Sequence, residues 1–305
     1  MKKIKIGNVL EASAVSMGCM RIPYLDRDAI SALVKTAIDG GIDFFDHADI
    51  YGGGNAETVF ATAVKDLGIS RDKMLIQTKC GIRDGLFDFS KEHIVSSLDN
   101  SLKRLEMDYV DVFLLHRPDT LMEPEEVAEA FETLHKAGKA RYFGVSNHNA
   151  AQIRLLNKYL GSNRLIVNQL QFSPAHTGMI DVGLNVNMTN PPSVDHDGSI
   201  LEFCRLEDIT IQAWSPFLYG FFEGVFLGNE KFPELNKAID EVAAEKNITA
   251  EAVVVAWILR HPAKIQAIPG TTNVERLKGI CEGSSVELSR QEWYKIYCAA
   301  GNVLP

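Results

Sequence analysis

Four residues with acid, phenol, amine and imidazole side chains stand at the ends of short apolar runs. Asp46 closes the run 42–46, and Tyr51 follows in Ala48-Asp49-Ile50-Tyr51-Gly52-Gly53-Gly54. Lys79 follows the run 74–78, and His116 follows the run 110–115. Together they suit one kind of chemistry. A carbonyl that accepts hydride gathers negative charge on its oxygen and needs a proton there. A tyrosine alone is a poor acid, with a reference pKa of about 10. A neighbouring lysine ammonium favours the phenolate and lowers that value. An aspartate keeps the lysine charged, and an imidazole holds the carbonyl oxygen or relays the proton. Each residue also has an ordinary reading: a cap or ion pair for Asp46, a core residue for His116, a loop aromatic for Tyr51, a solvated amine for Lys79. Their recurrence at successive run ends favours the chemical reading.

Such a set needs a scaffold that aims run ends at one place. Besides the runs named, 141–145, 165–169, 209–213 and 265–268 read as strands, with a short one near 14–17. Near-continuous apolar runs suit strands buried on both faces. Between them lie helical patterns at about 27–39, 55–67, 90–104, 124–137, 149–160 and 197–206. Others follow at about 234–246, 249–260, 273–282 and 289–299. Asp26 caps the first, and Gly40-Gly41 ends it. Eight strand–helix alternations predict an α/β fold, a (β/α)8 TIM barrel, with reactive groups on its C-terminal face. A doubly wound open sheet is the rival architecture. Residues 3–10 read as an N-terminal β-hairpin, turning at Gly7-Asn8, that plugs the barrel floor. The last pattern is an extra C-terminal helix. The polar stretch 173–197 is expected to cover the barrel mouth. No linker divides the chain, so 1–305 is expected to be a single barrel domain.

Composition narrows the function. The chain has 305 residues and a formal net charge of −9, which disfavours nucleic acid and anionic membranes as partners. Five scattered cysteines form no C-x-x-C pair and read as free thiols of a reducing compartment. With no signal-peptide pattern and no apolar run long enough to span a bilayer, a cytoplasmic protein is expected. One strand-end histidine is too few for a metal-dependent hydrolase, so no metal is expected. Gly52 and Gly54 do not extend to G-x-G-x-x-G, which disfavours a Rossmann site.

The stretch Gly41-Ile42-Asp43-Phe44-Phe45-Asp46-His47-Ala48-Asp49-Ile50-Tyr51-Gly52 resembles the signature of the aldo-keto reductases. So do Thr78-Lys79, Leu115-His116-Arg117-Pro118-Asp119, Gly144-Val145-Ser146-Asn147 and Ile268-Pro269-Gly270-Thr271-Thr272. The resemblance runs from about residue 4 to residue 285, in order. It implies a catalytic tetrad of Asp46, Tyr51, Lys79 and His116, a nicotinamide cofactor and a small carbonyl substrate. It places Ser146, Asn147 and Gln169 on the nicotinamide carboxamide and Trp214 against the nicotinamide ring. Ser215, Pro216, Leu218 and Gly220 would line the pyrophosphate, and Met20 and Arg21 join the cofactor contacts.

The other end of the cofactor falls at Gly270, Thr271 and Thr272, where the last strand run gives way to a helix. Thr272 and Glu275 fit a capping box, and a helix N-terminus suits a phosphate. Arg276 adds a cation whose fork of donors matches phosphate. NADPH is therefore the expected cofactor. Two departures keep NADH possible: Gly270 stands where many relatives have a phosphate-binding lysine, and Gly279 and Ile280 replace polar residues that meet the adenine. The expected activity is reduction of an aldehyde or ketone. The alternative is a cofactor-binding regulatory or redox-sensing barrel with little turnover. Tyr24, Phe87, Phe89 and Met179 fall in stretches expected to line the mouth.

Overall fold

The computed structural model describes residues 1–305. Eight strands form its centre: β1 (Met17–Gly18), β2 (Phe44–Asp46), β3 (Leu75–Cys80), β4 (Val110–Leu115), β5 (Ala140–Ser146), β6 (Leu165–Gln171), β7 (Thr210–Trp214) and β8 (Gln266–Ile268). They pair side by side in chain order, all parallel. A parallel bridge from Val15 to Ala267 joins the last strand to the first. The Ser16 and Gly18 amides donate to Ala267 O and Pro269 O, each at 2.9 Å. The sheet therefore closes into a (β/α)8 barrel, and the open-sheet rival falls. Every residue of β4 is buried, as a strand covered on both faces requires.

The helices are α1 (Arg27–Asp39), α2 (Asn55–Asp66), α3 (Lys91–Leu105), α4 (Pro124–Lys136), α5 (Ala150–Tyr159), α6 (Gly178–Leu184), α7 (Ile200–Leu206), α8 (Pro233–Lys246), α9 (Ala250–Leu259), α10 (Val274–Gly283) and α11 (Arg290–Ala299). Local chemistry sets their ends. Asp26 accepts the Ala29 N–H at 2.8 Å, and Gly41 leaves α1 at φ 83°. Asn149 and Ser289 build capping boxes with Gln152 and Glu292. Helix α9 is apolar on nearly all sides and lies buried among its neighbours. Its Trp257 stacks on Trp293 of α11 with ring centroids 4.8 Å apart. Each indole N–H donates to the other residue's carbonyl at 3.0 Å. That pair fastens the C-terminal helix to the barrel. No helix is long and apolar enough to cross a membrane.

The hairpin at the floor is longer than expected, pairing Lys3–Ile6 with Leu10–Ser13. Gly7 and Asn8 both adopt positive φ, as a tight hairpin turn demands. A side chain at Gly7 would also collide with Ile166, its Cβ falling 2.4 Å from the isoleucine Cβ. Ile4, Ile6 and Ala12 pack with Phe44, Val112 and Leu114 to seal the bottom.

Above that seal the barrel interior turns polar. Gln77, Gln169, Gln212 and Gln266 come from β3, β6, β7 and β8, and all four are buried. Gln77 and Gln169 donate to Gln212 Oε1 at 2.8 and 3.2 Å. Gln212 donates to Gln266 at 2.8 Å, and Gln266 donates to Ser13 O of the hairpin at 2.7 Å. Buried amides are tolerated when bonded to one another.

Three further details differ from the sequence expectation. Strand β3 runs to Cys80, so Lys79 lies within the strand and points inward. Helix α10 is capped by Asn273, whose side chain accepts the Arg276 N–H at 2.9 Å, so Thr272 forms no capping box. The stretch 173–197 contains α6, tied to α11 by a 2.7 Å hydrogen bond from the Tyr297 hydroxyl to Asp181.

Candidate active site

Asp46 ends β2, and Lys79 sits on β3 two residues beyond the partner of Asp46, Gln77. The two side chains therefore meet inside the barrel. Lys79 Nζ lies 2.9 Å from Asp46 Oδ2, 2.7 Å from His47 O and 3.0 Å from the Tyr51 hydroxyl. Three neighbours match the three protons of an ammonium. The second Asp46 oxygen accepts from Gln77 at 2.6 Å and Gln169 at 3.0 Å. Both the acid and the amine are thus buried and fully bonded.

Tyr51 is placed by the glycines after it. Gly52, Gly53 and Gly54 all take positive φ, turning the chain tightly from the strand end into α2. A Cβ at Gly52 would fall 2.7 Å from Pro23. Burial pushes the Tyr51 pKa up, and the Lys79 ammonium pulls it down less strongly, so it stays above the ordinary phenol. That reverses the net lowering expected from sequence, which left desolvation out. Burial likewise opposes the Lys79 charge, but Asp46 and Tyr51 outweigh it and hold the ammonium protonated. Asp49, on the same turn, is pushed up to about 7 by burial and then by nearby Glu57.

His116 follows β4 and faces Tyr51 edge-on, ring centroids 5.9 Å apart. Burial, then the Lys79 and Arg117 cations, depress its pKa far below the ordinary imidazole, so the ring is neutral. Three of the four sequence candidates therefore touch, and the fourth stands beside Tyr51 without a direct hydrogen bond.

These groups open into a cavity of about 530 Å³. Asp46, Tyr51 and His116 lie on its wall; Lys79 is sealed behind Tyr51. Met20, Arg21, Ser146, Asn147, Gln169, Trp214, Ser215 and Gly270 are on the same wall. Asn147 bridges two of them, donating to Ser146 Oγ at 2.8 Å and accepting from the Trp214 indole at 3.1 Å. Phe222 stacks on Trp214 at 5.7 Å. Arg21 donates to Gly270 O at 3.2 Å across the barrel seam. A Cβ at Gly270 would come within 3.2 Å of that guanidinium. A side chain at Gly270 would thus press on a cation from another strand end.

Other candidates lie off this wall. Pro216 and Leu218 are buried. The carbonyls of Leu218 and Gly220 accept from Ser173 and Gln171 at 2.9 and 2.7 Å. Thr271 Oγ1 accepts the Asn273 N–H at 3.1 Å, and Thr272 is exposed. Arg276 is exposed and paired with Glu251 at 3.1 Å. Among the mouth candidates, Tyr24 lines the cavity and Phe87 lies outside it, exposed. Phe89 is a core residue stacked on His148, and a Cβ at Gly81 would strike its ring at 2.2 Å. Met179 lines a second cavity of about 620 Å³, which shares Arg117, Asn147, Trp214 and Phe221 with the first. Sequence reasoning missed Arg117, Phe221 and Phe222. The first directly follows His116, and the others form an aromatic pair between glycines.

A model of the aldo/keto reductase family matches residues 14–299. An uncharacterized oxidoreductase, YcsN, of Bacillus subtilis is 36% identical, over 98% of each chain. A 6-dehydroglucose reductase of Agrobacterium fabrum is 33% identical, again over 98% of each. An aldo-keto reductase of Klebsiella pneumoniae, solved in complex with NADPH, superposes with a TM-score of 0.78 at 24% identity. It covers 97% of this chain and 93% of its own.

Proposed function

The chain belongs to the aldo/keto reductase family, and from that premise we propose that it reduces an aldehyde or ketone to the alcohol, with NADPH as hydride donor and Tyr51 as proton donor. The observation that carries this reading is the buried Lys79 ammonium 3.0 Å from a phenol that faces a substrate-sized cavity.

The wall fits a nicotinamide dinucleotide. Trp214 offers a flat aromatic face, Ser146 and Asn147 offer amide-binding groups, and Arg21 offers a cation beside Gly270. Outside the wall, the N-terminus of α10 and Arg276 suit a phosphate. When bound, the cofactor supplies the hydride. The chain's own residues handle the proton. The Tyr51 hydroxyl donates to the carbonyl oxygen as charge develops there. Lys79 stabilises the phenolate left behind, and Asp46 keeps Lys79 charged and aimed. Neutral His116 orients the carbonyl oxygen without competing as an acid.

The test is the loss of reduced-nicotinamide absorbance with a reactive aldehyde such as 4-nitrobenzaldehyde, run with NADPH and with NADH. Turnover with NADPH supports the reading. Tight cofactor binding without turnover of any aldehyde or ketone would instead favour the regulatory barrel.

A further inference from the structure

Four arginines are half-buried: Arg21, Arg71, Arg104 and Arg117. Three have an oxygen partner in the chain. Arg21 donates to Gly270 O, Arg71 pairs with Asp111 at 2.6 Å, and Arg104 pairs with Glu57 at 2.7 Å. Arg117 has none. Its guanidinium carbon lies instead 5.9 Å from the Trp214 ring centroid and 5.5 Å from that of Phe221. These contacts steady the side chain but leave its N–H donors unmatched.

The position is specific. Arg117 stands in the wall shared by the two cavities, next to His116 and on the same surface as Tyr51. No carboxylate on either wall lies within ion-pair distance of it: Asp46 is paired with Lys79, and Asp197 accepts the Ile200 N–H at 3.1 Å. Burial draws the guanidinium's pKa down, and Tyr51 alone pulls it the other way. Only half-buried, the guanidinium keeps donors exposed on the wall, where an anionic ligand would meet them without competition from a protein carboxylate.

We propose that Arg117 is a specificity-determining residue that receives a carboxylate on the substrate, so that the natural substrate is a carbonyl compound bearing a carboxylate group. This rests on the reductase reading, because it sets the carbonyl of the same molecule at Tyr51. A carboxylate matches the planar fork of a guanidinium through two parallel hydrogen bonds. A phosphate dianion asks for a second cation, and Arg21, the other arginine on these walls, lies at the seam beside Gly270, where the proposed cofactor would use it. Trp214 and Phe221 provide an apolar shelf for the carbon skeleton between the two polar ends.

The probe pair is 4-carboxybenzaldehyde and its methyl ester, which differ in charge at one end. Wild type is expected to favour the acid in kcat/KM by about 10- to 100-fold, the range of hydrogen bonds to a charged group. Arg117→Met should bring the acid-to-ester ratio to about one, chiefly by raising KM for the acid. Arg117→Lys should restore part of it, and added salt should erode it in wild type. Equal losses for acid and ester in Arg117→Met would overturn the proposal, as would a wild-type preference for the ester. A stronger preference for glyceraldehyde 3-phosphate would replace the carboxylate with a phosphate. Calorimetric binding of 4-carboxybenzaldehyde to the protein loaded with NADP+, which holds no hydride to give, needs no turnover. Equal affinity in wild type and Arg117→Met refutes the site even if no carbonyl is reduced, and selective loss in the variant supports it.

Discussion

The ammonium of Lys79 and the hydroxyl of Tyr51 stand 3.0 Å apart, with the lysine wholly buried and the phenol on the cavity wall. The cation is therefore behind the acid, out of reach of substrate and solvent. It can act on the reaction only through the phenol. This arrangement separates the group that touches the carbonyl from the group that tunes it.

Tyr51→Phe removes the proton donor and keeps the ring. Carbonyl reduction is expected to fall by about 10²–10⁴-fold, the usual contribution of general-acid catalysis. Cofactor affinity should stay within about twofold, because the proposed role of the hydroxyl is toward the substrate carbonyl. Steady-state rates and a cofactor titration check both. Activity near wild type would remove Tyr51 from its role.

Lys79→Met takes away the cation that pulls the Tyr51 pKa down. That pKa should rise, so the alkaline limb of the reduction profile should move to higher pH while the rate falls. Alcohol oxidation, which needs the phenolate, should fall most near neutral pH and recover partly in alkali. Because Asp46 would be left buried and unpaired, the double variant with Asp46→Asn serves as a fold control. A wild-type pH profile in a folded variant would break the coupling between the two residues.

Binding of NADPH should quench the fluorescence of Trp214, which lies on the cavity wall. Trp257 and Trp293 are stacked on each other in the core and should respond little. Trp214→Phe should therefore abolish most of the quench. A full quench in that variant would place the nicotinamide elsewhere.

Arg276 bears on cofactor choice, but its pairing with Glu251 moderates the expectation. Arg276→Ala should weaken NADPH binding by about 10-fold, the low end for a charged hydrogen bond, and leave NADH nearly unchanged. Glu251→Gln should free the guanidinium and tighten NADPH alone. Dissociation constants for both cofactors decide the matter. Equal losses for the two would mean that Arg276 supports the shared part of the cofactor or the fold.

Much of this was legible in the sequence because barrel strands and their helices write strong periodic patterns. Every expected strand has a counterpart, and the ends of Asp46 and His116 fell where the apolar runs stopped. What remained hidden depends on contacts between distant segments. The glutamine belt reads along the chain as isolated polar residues within apolar strands. Only closure of the barrel shows that their amides bond to one another. Phe89 falls in a stretch expected to line the mouth, yet the absence of a side chain at Gly81 leaves room for its ring in the core. Asn273 displaced Thr272 as the helix cap because both are good caps one residue apart. Arg117 carries no signal of its own in the sequence, since nothing local reveals that it has no partner.

The seam between β1 and β8 has a further consequence. Two short strands meet there through a single bridge and a few amide hydrogen bonds, against the longer ladders from β3 to β7. In amide hydrogen exchange the seam should behave as a low-stability unit, with Ser16, Gly18 and Ala267 exchanging through local opening well before the far side of the barrel. Met20, Arg21 and Gly270 flank that seam on the cavity side. A dinucleotide laid across them would act as a clasp, and its binding energy would appear as slowed exchange along a line that the protein alone holds loosely.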